Sequence, residues 1–204
     1  MRVSKEKAAG NREALLQAAD RLFRERGIDG VGVAQIAKEA GLTHGAIYAH
    51  FPSKEALAAE AFRHGFAGNV ARTRAREGER SSFEDCLGGL LSKPMRDSFE
   101  TGCPMAASAS EVARHSCAVS ASFTSAFEQF AEMIERSLGN VIPPARRRRL
   151  AIAAVAAEIG AIAASRAIAK TDPALADEVL EAVRETVSAA HEAEKASSPK
   201  TQRR

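Results

Sequence analysis

The chain has 204 residues, of which 45% are apolar and 5% aromatic, with no tryptophan and a formal net charge of +3 at pH 7. This length suits one domain or two small ones. The apolar share allows a core, and an alanine-rich, aromatic-poor composition points to closely packed helices and away from a β-rich fold. A charge this small does not argue for nucleic acid by itself, because a protein that reads a base sequence needs only a local basic patch.

In chain order, residues 1–5 read as a short flexible arm, and Ser4 is placed to cap a helix running to about residue 26. Ala14, Leu15, Ala18, Ala19, Leu22 and Phe23 form its apolar stripe, and Gly27 ends it as a C′ glycine. After a glycine-rich loop anchored by Ile28 and Val31, residues 33–51 read as two short helices around a tight turn. Ile36 and Ala37 lie on one face of the first, Gly41 supplies the turn, and Leu42 faces inward. Thr43 stands where its hydroxyl can cap the second helix, and Ile47 and Phe51 dock that helix on the core. The opposite face carries Thr43, His44, Ala46, Ala49 and His50, small or polar residues that a major groove accommodates. Spacing alone leaves two readings, a helix-turn-helix that binds DNA or an ordinary helical hairpin.

Pro52 stops this helix and Ser53 caps the next, residues 54–76, whose buried side is Leu57, Ala61, Phe62, Phe66 and Val70. Gly78 and Ser81 mark a break. Further helices are expected over about 83–99 (bent by Gly88, Gly89 and Pro94), 103–115, 119–138, 145–169 and 172–195. Asp172 and Pro173 open the last of these. Residues 196–204 form a polar, basic tail expected to be disordered. The fold class is therefore all-α, with about nine helices: a helix-turn-helix domain over 1–52 and a second helical domain over 53–195.

Cys86, Cys103 and Cys117 are widely spaced, and no Cys-x-x-Cys pair or histidine cluster suggests zinc, so neither metal nor cofactor is expected. The charged N-terminus, with no apolar run behind it, does not read as a signal peptide. Residues 150–169 are apolar but mostly Ala and Gly, with Glu158 and Arg166 among them, which reads as too weakly hydrophobic to span a membrane. The expected location is the cytosol. No nucleophile with a base, phosphate-cradling glycine loop or paired carboxylates stands out, so the chain does not read as an enzyme.

The string GLTHGAIYAHFPSKEAL resembles the DNA-binding domain of TetR-type bacterial repressors. The resemblance rests on the Gly-x-Thr turn, Gly45, the Tyr48-x-His50-Phe51 ending and the Phe-x-Ser-Lys-Glu-x-Leu entry into the following helix. It covers Glu13 to about Leu57; the remainder is similar in layout more than in residues. The resemblance implies DNA contacts from Val33, Thr43, His44, Gly45, Tyr48, Ala49, His50 and Lys54. Gly32 departs from the family pattern, which has Thr or Ser there. Tyr48 has an alternative reading as half core, His50 as a partner of a backbone group, and Gly45 as a helix-packing residue.

The resemblance also implies a homodimer on a near-palindromic operator. Two C-terminal helices, apolar on more than one side, supply a candidate interface: Leu150, Ile152, Val155, Ile159, Ile162, Leu175, Val179, Leu180, Val183 and Val187. The alternative is that they only close the core of one subunit. The Arg146–Arg149 run reads as a solvated face. A second domain of this type implies a pocket for a small inducer of unknown identity, and Phe66, Phe83, Leu87, Met95, Phe99, Cys103, Met105, Phe123, Phe127 and Phe130 are its candidates. No charged anchor stands out among them, which favours an apolar ligand; the alternative for each is ordinary core.

Cys103 opens a helix, where a thiolate is stabilised, and Gly102-Cys103-Pro104-Met-Ala-Ala with Ser110-Glu111-Val112 is similar to regulators with an LmrA/YxaF-like C-terminal domain. A thiol-based sensor of electrophiles or oxidants is therefore a competing reading. A helical protein-interaction adaptor that does not bind DNA is a reading from another class.

Overall fold

The computed structural model describes residues 5–77 and 82–197. The arm and Ser4 cap, the break at Gly78 and Ser81, and the tail beyond Ser197 lie outside the described residues. Ten helices and no strand are found among those described: α1 (Lys5–Arg26), α2 (Val33–Glu39), α3 (His44–Tyr48), α4 (Lys54–Glu77), α5 (Phe83–Leu90), α6 (Lys93–Asp97), α7 (Pro104–Val112), α8 (Cys117–Ser137), α9 (Pro144–Ile168) and α10 (Pro173–Ala196). The all-α expectation of about nine helices is met, the extra one arising where a single bent helix was expected over 83–99. The chain leaves helical geometry at Leu91 (φ −97°, ψ 56°), and Ser92 caps a new helix by accepting from the Met95 N–H at 3.3 Å.

The helices form two compact units, Met1–Arg72 with Phe99–Ala126, and Thr73–Ser98 with Phe127–Arg204. In the first, Leu15, Ala19 and Leu22 of α1 pack with Ile36, Ile47, Phe51 and Leu57, all at most 2% exposed, and Val112 and Val119 close the same core. Each large side chain buried in this way contributes about 1.5–3 kcal/mol. α1 and α4 approach so closely that a Cβ on Gly65 would lie 1.9 Å from Asp20 Oδ1. Asp20 in turn accepts from Arg24 Nε at 2.9 Å, and the buried Arg24 donates to the Gly102 carbonyl at 3.2 Å, tying α1 to the chain entering α7.

In the second unit α9 buries Leu150, Ala151, Ala154, Val155, Glu158, Ala161, Ile162 and Ser165, the three-and-four spacing of one helical face, and α10 packs along it. α9 is more apolar than the sequence expectation allowed, long and apolar enough to cross a membrane by length and composition only, a property that core helices share. This buried face accounts for part of its apolar character; Ile152, on the other side, is 38% exposed. Caps define the other helices. Ser82 and Asp85 form a reciprocal capping box on α5, and Asp172 accepts from the Leu175 N–H at 3.0 Å on α10. Arg166 donates to the carbonyls of Arg96, Met95 and Ser98 at 2.8, 3.1 and 3.3 Å, satisfying the C-terminal end of α6.

Arg96, whose side chain is 8% exposed, is held by Asp97 at 2.6 Å and Asp177 at 2.7 Å, and Lys93 also reaches Asp177 at 2.6 Å. These charge-assisted bonds push the Arg96 guanidinium pKa up. The hydrogen bond from Arg96 holds the Asp97 carboxyl below its usual range, and those from Lys93 and then Arg96 do the same for Asp177. The Arg146–Arg149 run is not simply solvated. Arg146 pairs with Glu194 at 3.3 Å and Arg148 with Glu128, while Arg147 donates to the Gly139 carbonyl at 2.9 Å and Asn140 Oδ1 at 2.6 Å.

Candidate nucleic-acid interface

The turn between α2 and α3 follows from one glycine. Gly41 has φ +68°, the left-handed conformation that a side chain disfavours. The Leu42 N–H reaches back to the Ala37 carbonyl at 2.8 Å and the Gly41 N–H to that of Lys38 at 3.1 Å. This is a Schellman ending, with half-buried Leu42 as its apolar closure. Ile47 and Phe51, both 0% exposed, then pin α3 and the chain after it to the core. The Arg12 guanidinium lies 5.0 Å from the Phe51 ring centroid and is itself held by Glu60. Ser53 caps α4, accepting from the Ala56 N–H at 3.1 Å.

With that side fixed, the outward side of α3 is determined. Thr43, His44, Gly45, Tyr48 and Ala49 are exposed, while Val33, His50 and Lys54 are half-buried. None of the eight carries a negative charge. Tyr48 is 54% exposed, so it is not a core residue, and its ring meets His44 edge-on with centroids 5.5 Å apart. His50 lies tilted against Phe51 at 6.4 Å. A Cβ on Gly45 would meet no atom within 4 Å, so no packing within the chain requires glycine there.

One local expectation is corrected. Thr43 occupies the N-cap position of α3, with extended backbone (φ −79°, ψ 154°), but its hydroxyl makes no capping hydrogen bond. Gly32 likewise begins α2 with no side-chain cap. Sequence reasoning also missed a residue that holds this surface from behind. Arg12, which lies over Phe51, acts between elements distant in sequence, and no local signal marks it.

The other candidate residues separate by burial. Among those for an inducer pocket, Phe66, Cys103 and Met105 are buried in the first unit, where Phe123 stacks on Phe62 at 5.6 Å and Phe99 is 45% exposed. In the second unit Phe83, Leu87 and Phe130 are buried and Met95 and Phe127 half-buried, with Phe83 edge-on to His191 at 4.5 Å. A cavity of about 20 Å³ in the first unit, lined by Asp20, Phe23, Arg24, Ile28, Ala58, Phe62, Pro104 and Ser108, has room for a single water and includes none of the ten. Cys103 is 4% exposed at the N-cap of α7, its sulfur accepting from the Ala106 N–H at 3.5 Å. Of the candidate interface residues, Leu150, Val155, Ile162, Leu180 and Val187 are buried within the chain. Ile152 and Leu175 are 38% and 43% exposed, and Ile159, Val179 and Val183 are half-buried.

Comparison with known proteins agrees with this geometry. Residues 15–61 match the profile described as bacterial regulatory proteins, tetR family, and residues 81–193 that described as transcriptional regulator LmrA/YxaF-like, C-terminal domain. The chain is 50% identical over 54 residues to the HTH-type transcriptional repressor BepR of Brucella suis, covering 26% of each chain. It is 52% identical over 52 residues to the HTH-type transcriptional regulator LmrA of Bacillus subtilis, covering 25% of this chain and 28% of that one. These alignments thus span about a quarter of the length of those relatives. In fold it is similar to a crystal structure of a TetR-family regulator from Cytophaga hutchinsonii, with TM-score 0.73 and 20% identity over 93% of this chain and 98% of that one.

Proposed function

We propose, from the premise that the chain belongs to the TetR family of bacterial regulatory proteins, with a C-terminal part of the LmrA/YxaF-like kind, that it is a homodimeric transcriptional repressor. It binds a near-palindromic operator through α2 and α3 and is released by a small apolar ligand. The observation that carries the reading is the outward face of α3. Tyr48, Thr43 and His44 stand exposed around Gly45, whose missing Cβ serves no contact inside the chain. Such a surface can approach a phosphate backbone closely while Tyr48, His44 and Lys54 supply donors.

A single short helix reads too few base pairs for useful specificity, so the reading needs a second copy. The outward stripe Ile152, Ile159, Leu175, Val179 and Val183, with exposed Ala153, Ala156 and Ala163 beside it, is the proposed dimer face. Its small residues allow close helix approach. The protein then acts in the cytoplasm, where its operator is.

The test is selection of bound sequences from a random duplex pool at moderate salt. A near-palindrome is the expected result. Recovery of salt-sensitive background alone, from freshly refolded protein as well, would favour the protein-interaction adaptor instead.

Cys103 supports a second reading, a thiol-based sensor. A sulfur accepting a backbone N–H at a helix start is where a thiolate is stabilised, although its burial requires the site to open before an electrophile enters. Cys103→Ser keeps a capping atom. Loss of electrophile-induced release with DNA binding intact would establish this reading.

A further inference from the structure

Beyond the DNA-reading surface, the first unit holds a group of side chains that neither DNA binding nor core packing uses. Asp29, in the loop between α1 and α2, faces Glu111 in the last turn of α7 and His115 in the turn after it. One ligand atom from each lies within 4.8 Å of the others. His115 Nε2 is 3.8 Å from Asp29 Oδ1 and 3.8 Å from Glu111 Oε1.

These distances are too long for hydrogen bonds. They are close to the edge of about 3.4 Å that a tetrahedron has when its metal–ligand bonds are about 2.1 Å. The histidine is the independent sign of a missing partner. Its side chain is 8% exposed, and buried Nε2 has no hydrogen-bond partner. A buried polar nitrogen is ordinarily satisfied, so an orphan aimed between two carboxylates calls for an explanation.

Charge points the same way. The Glu111 side chain is 13% exposed, and among the described residues no lysine or arginine pairs with it. Among the described residues it accepts from the Asp29 N–H, at 3.0 Å. The C-terminal ends of α1 and α7 both lie at this place and add negative partial charge. The fold also makes room for the carboxylate. At Gly27 (φ +76°) a Cβ would come within 2.8 Å of Glu111 Oε1.

We infer that Asp29, Glu111 and His115 form a binding site for a divalent transition-metal ion, with one imidazole nitrogen and two carboxylate oxygens as ligands and open positions left for water. This donor set suits zinc. The ion neutralises the buried carboxylate, occupies the orphan nitrogen, and ties the loop that enters the helix-turn-helix to the end of α7. Asp29 stands 82 positions before Glu111, which forms a Glu-x-x-x-His pair with His115, so linear spacing does not reveal the site. It stands independently of the DNA-binding reading.

The test uses the full chain, stripped with a chelator and exchanged into metal-free buffer, with Zn²⁺ titrated against a competing chromophoric chelator. The expected result is one tight equivalent per chain, with melting temperature rising on zinc addition. His115→Gln should abolish tight binding. Asp29→Asn should weaken it on the order of tenfold or more. His191→Gln, in the other His–carboxylate group formed by Glu84, His191 and Glu192, should leave it unchanged. If His115→Gln does not fold, Asp29→Asn decides, because Asp29 is 76% exposed in a loop. Wild-type affinity in Asp29→Asn and His115→Gln, or no zinc binding by the wild type, would overturn the proposal.

Discussion

The two helices of the helix-turn-helix and the helices of the second unit begin in different ways. α5, α6 and α10 each start on a side chain that accepts a backbone N–H: Ser82 within a capping box, Ser92, and Asp172. α9 starts on Pro143-Pro144, and Pro144 has no N–H to satisfy. α2 and α3 start on Gly32 and Thr43 with no side-chain cap at all. A cap contributes about 1 kcal/mol, so the helix-turn-helix forgoes stability that the C-terminal unit takes. Its helices are held instead from behind, by Ile36, Ile47 and Phe51 at 0% exposure. The difference teaches that α2 and α3 depend on packing from behind, whereas the helices of the second unit are also fixed at their ends by caps.

The comparison can be broken first at Tyr48. If its exposed ring and hydroxyl serve DNA alone, Tyr48→Ala should lower affinity for the selected operator by about 100-fold in a gel-shift or anisotropy titration. That is about 1.4 kcal/mol from each half-site. The melting temperature should be unchanged; a fall of several degrees would return Tyr48 to the fold. The counterpart in the second unit is Arg96→Ala. It removes a buried guanidinium from Asp97 and Asp177, and should cost about 2 kcal/mol by urea unfolding, discounted for the partial exposure of both acids.

The caps give the direct contrast. Asp172→Ala should cost about 1 kcal/mol of stability and leave operator binding intact. Thr43→Ala should change stability by less than about 0.5 kcal/mol, because its hydroxyl caps nothing, and should weaken operator binding. Equal stability losses at the two positions would erase the distinction. Gly45→Ala carries it one step further. With open space for the Cβ and a helical backbone, alanine should stabilise the chain by about 0.5 kcal/mol while reducing operator affinity.

What was legible in the sequence follows the range of the interaction concerned. The turn at Gly41, the inward Ile47 and Phe51, and the caps at Ser53 and Asp172 are local, and residue type with spacing was enough to place them. The division between α5 and α6 was also local but was misread. Ser92-Lys-Pro is a helix start signal, and Pro94 opens a new helix where the sequence reading expects a bend within one. Thr43 was in the right place for a cap, but sequence does not reveal whether a hydroxyl turns to its own helix or outward. Gly65 against Asp20, Arg12 over Phe51, and Glu111 beside Gly27 join distant elements and left no periodic trace. Along α9, alanine on nearly every side hid which face turns inward, so Leu150, Val155 and Ile162 could not be told apart from Ile152 before the packing was known.

The smallest expected effect is on the acid side of stability; in the first unit the hydrogen bonds from Gln17 and His64 lower the Glu13 pKa, and in the second the effect centres on the Arg96 cluster. Hydrogen bonds from Lys93 and Arg96 hold the Asp177 carboxyl below its usual range, and Arg96 does the same for Asp97. A carboxyl with a depressed folded-state pKa takes up its proton more readily in the unfolded chain. Its contribution to stability is therefore complete above the unfolded value, about 3.9, and is lost as pH falls through the lower folded value. Stability of the wild type should accordingly decline as pH is lowered below about 5 and fall most steeply below about 4. Asp177→Asn, which has given up the contribution at every pH, should be less stable at neutrality and should lose less on acidification between about pH 5 and 3, by urea midpoints at each pH. Parallel acid limbs for the two proteins would mean that the Arg96 cluster is screened by solvent. The second unit would then rest on its caps and its α9–α10 packing, and the contrast with the helix-turn-helix would be one of capping alone.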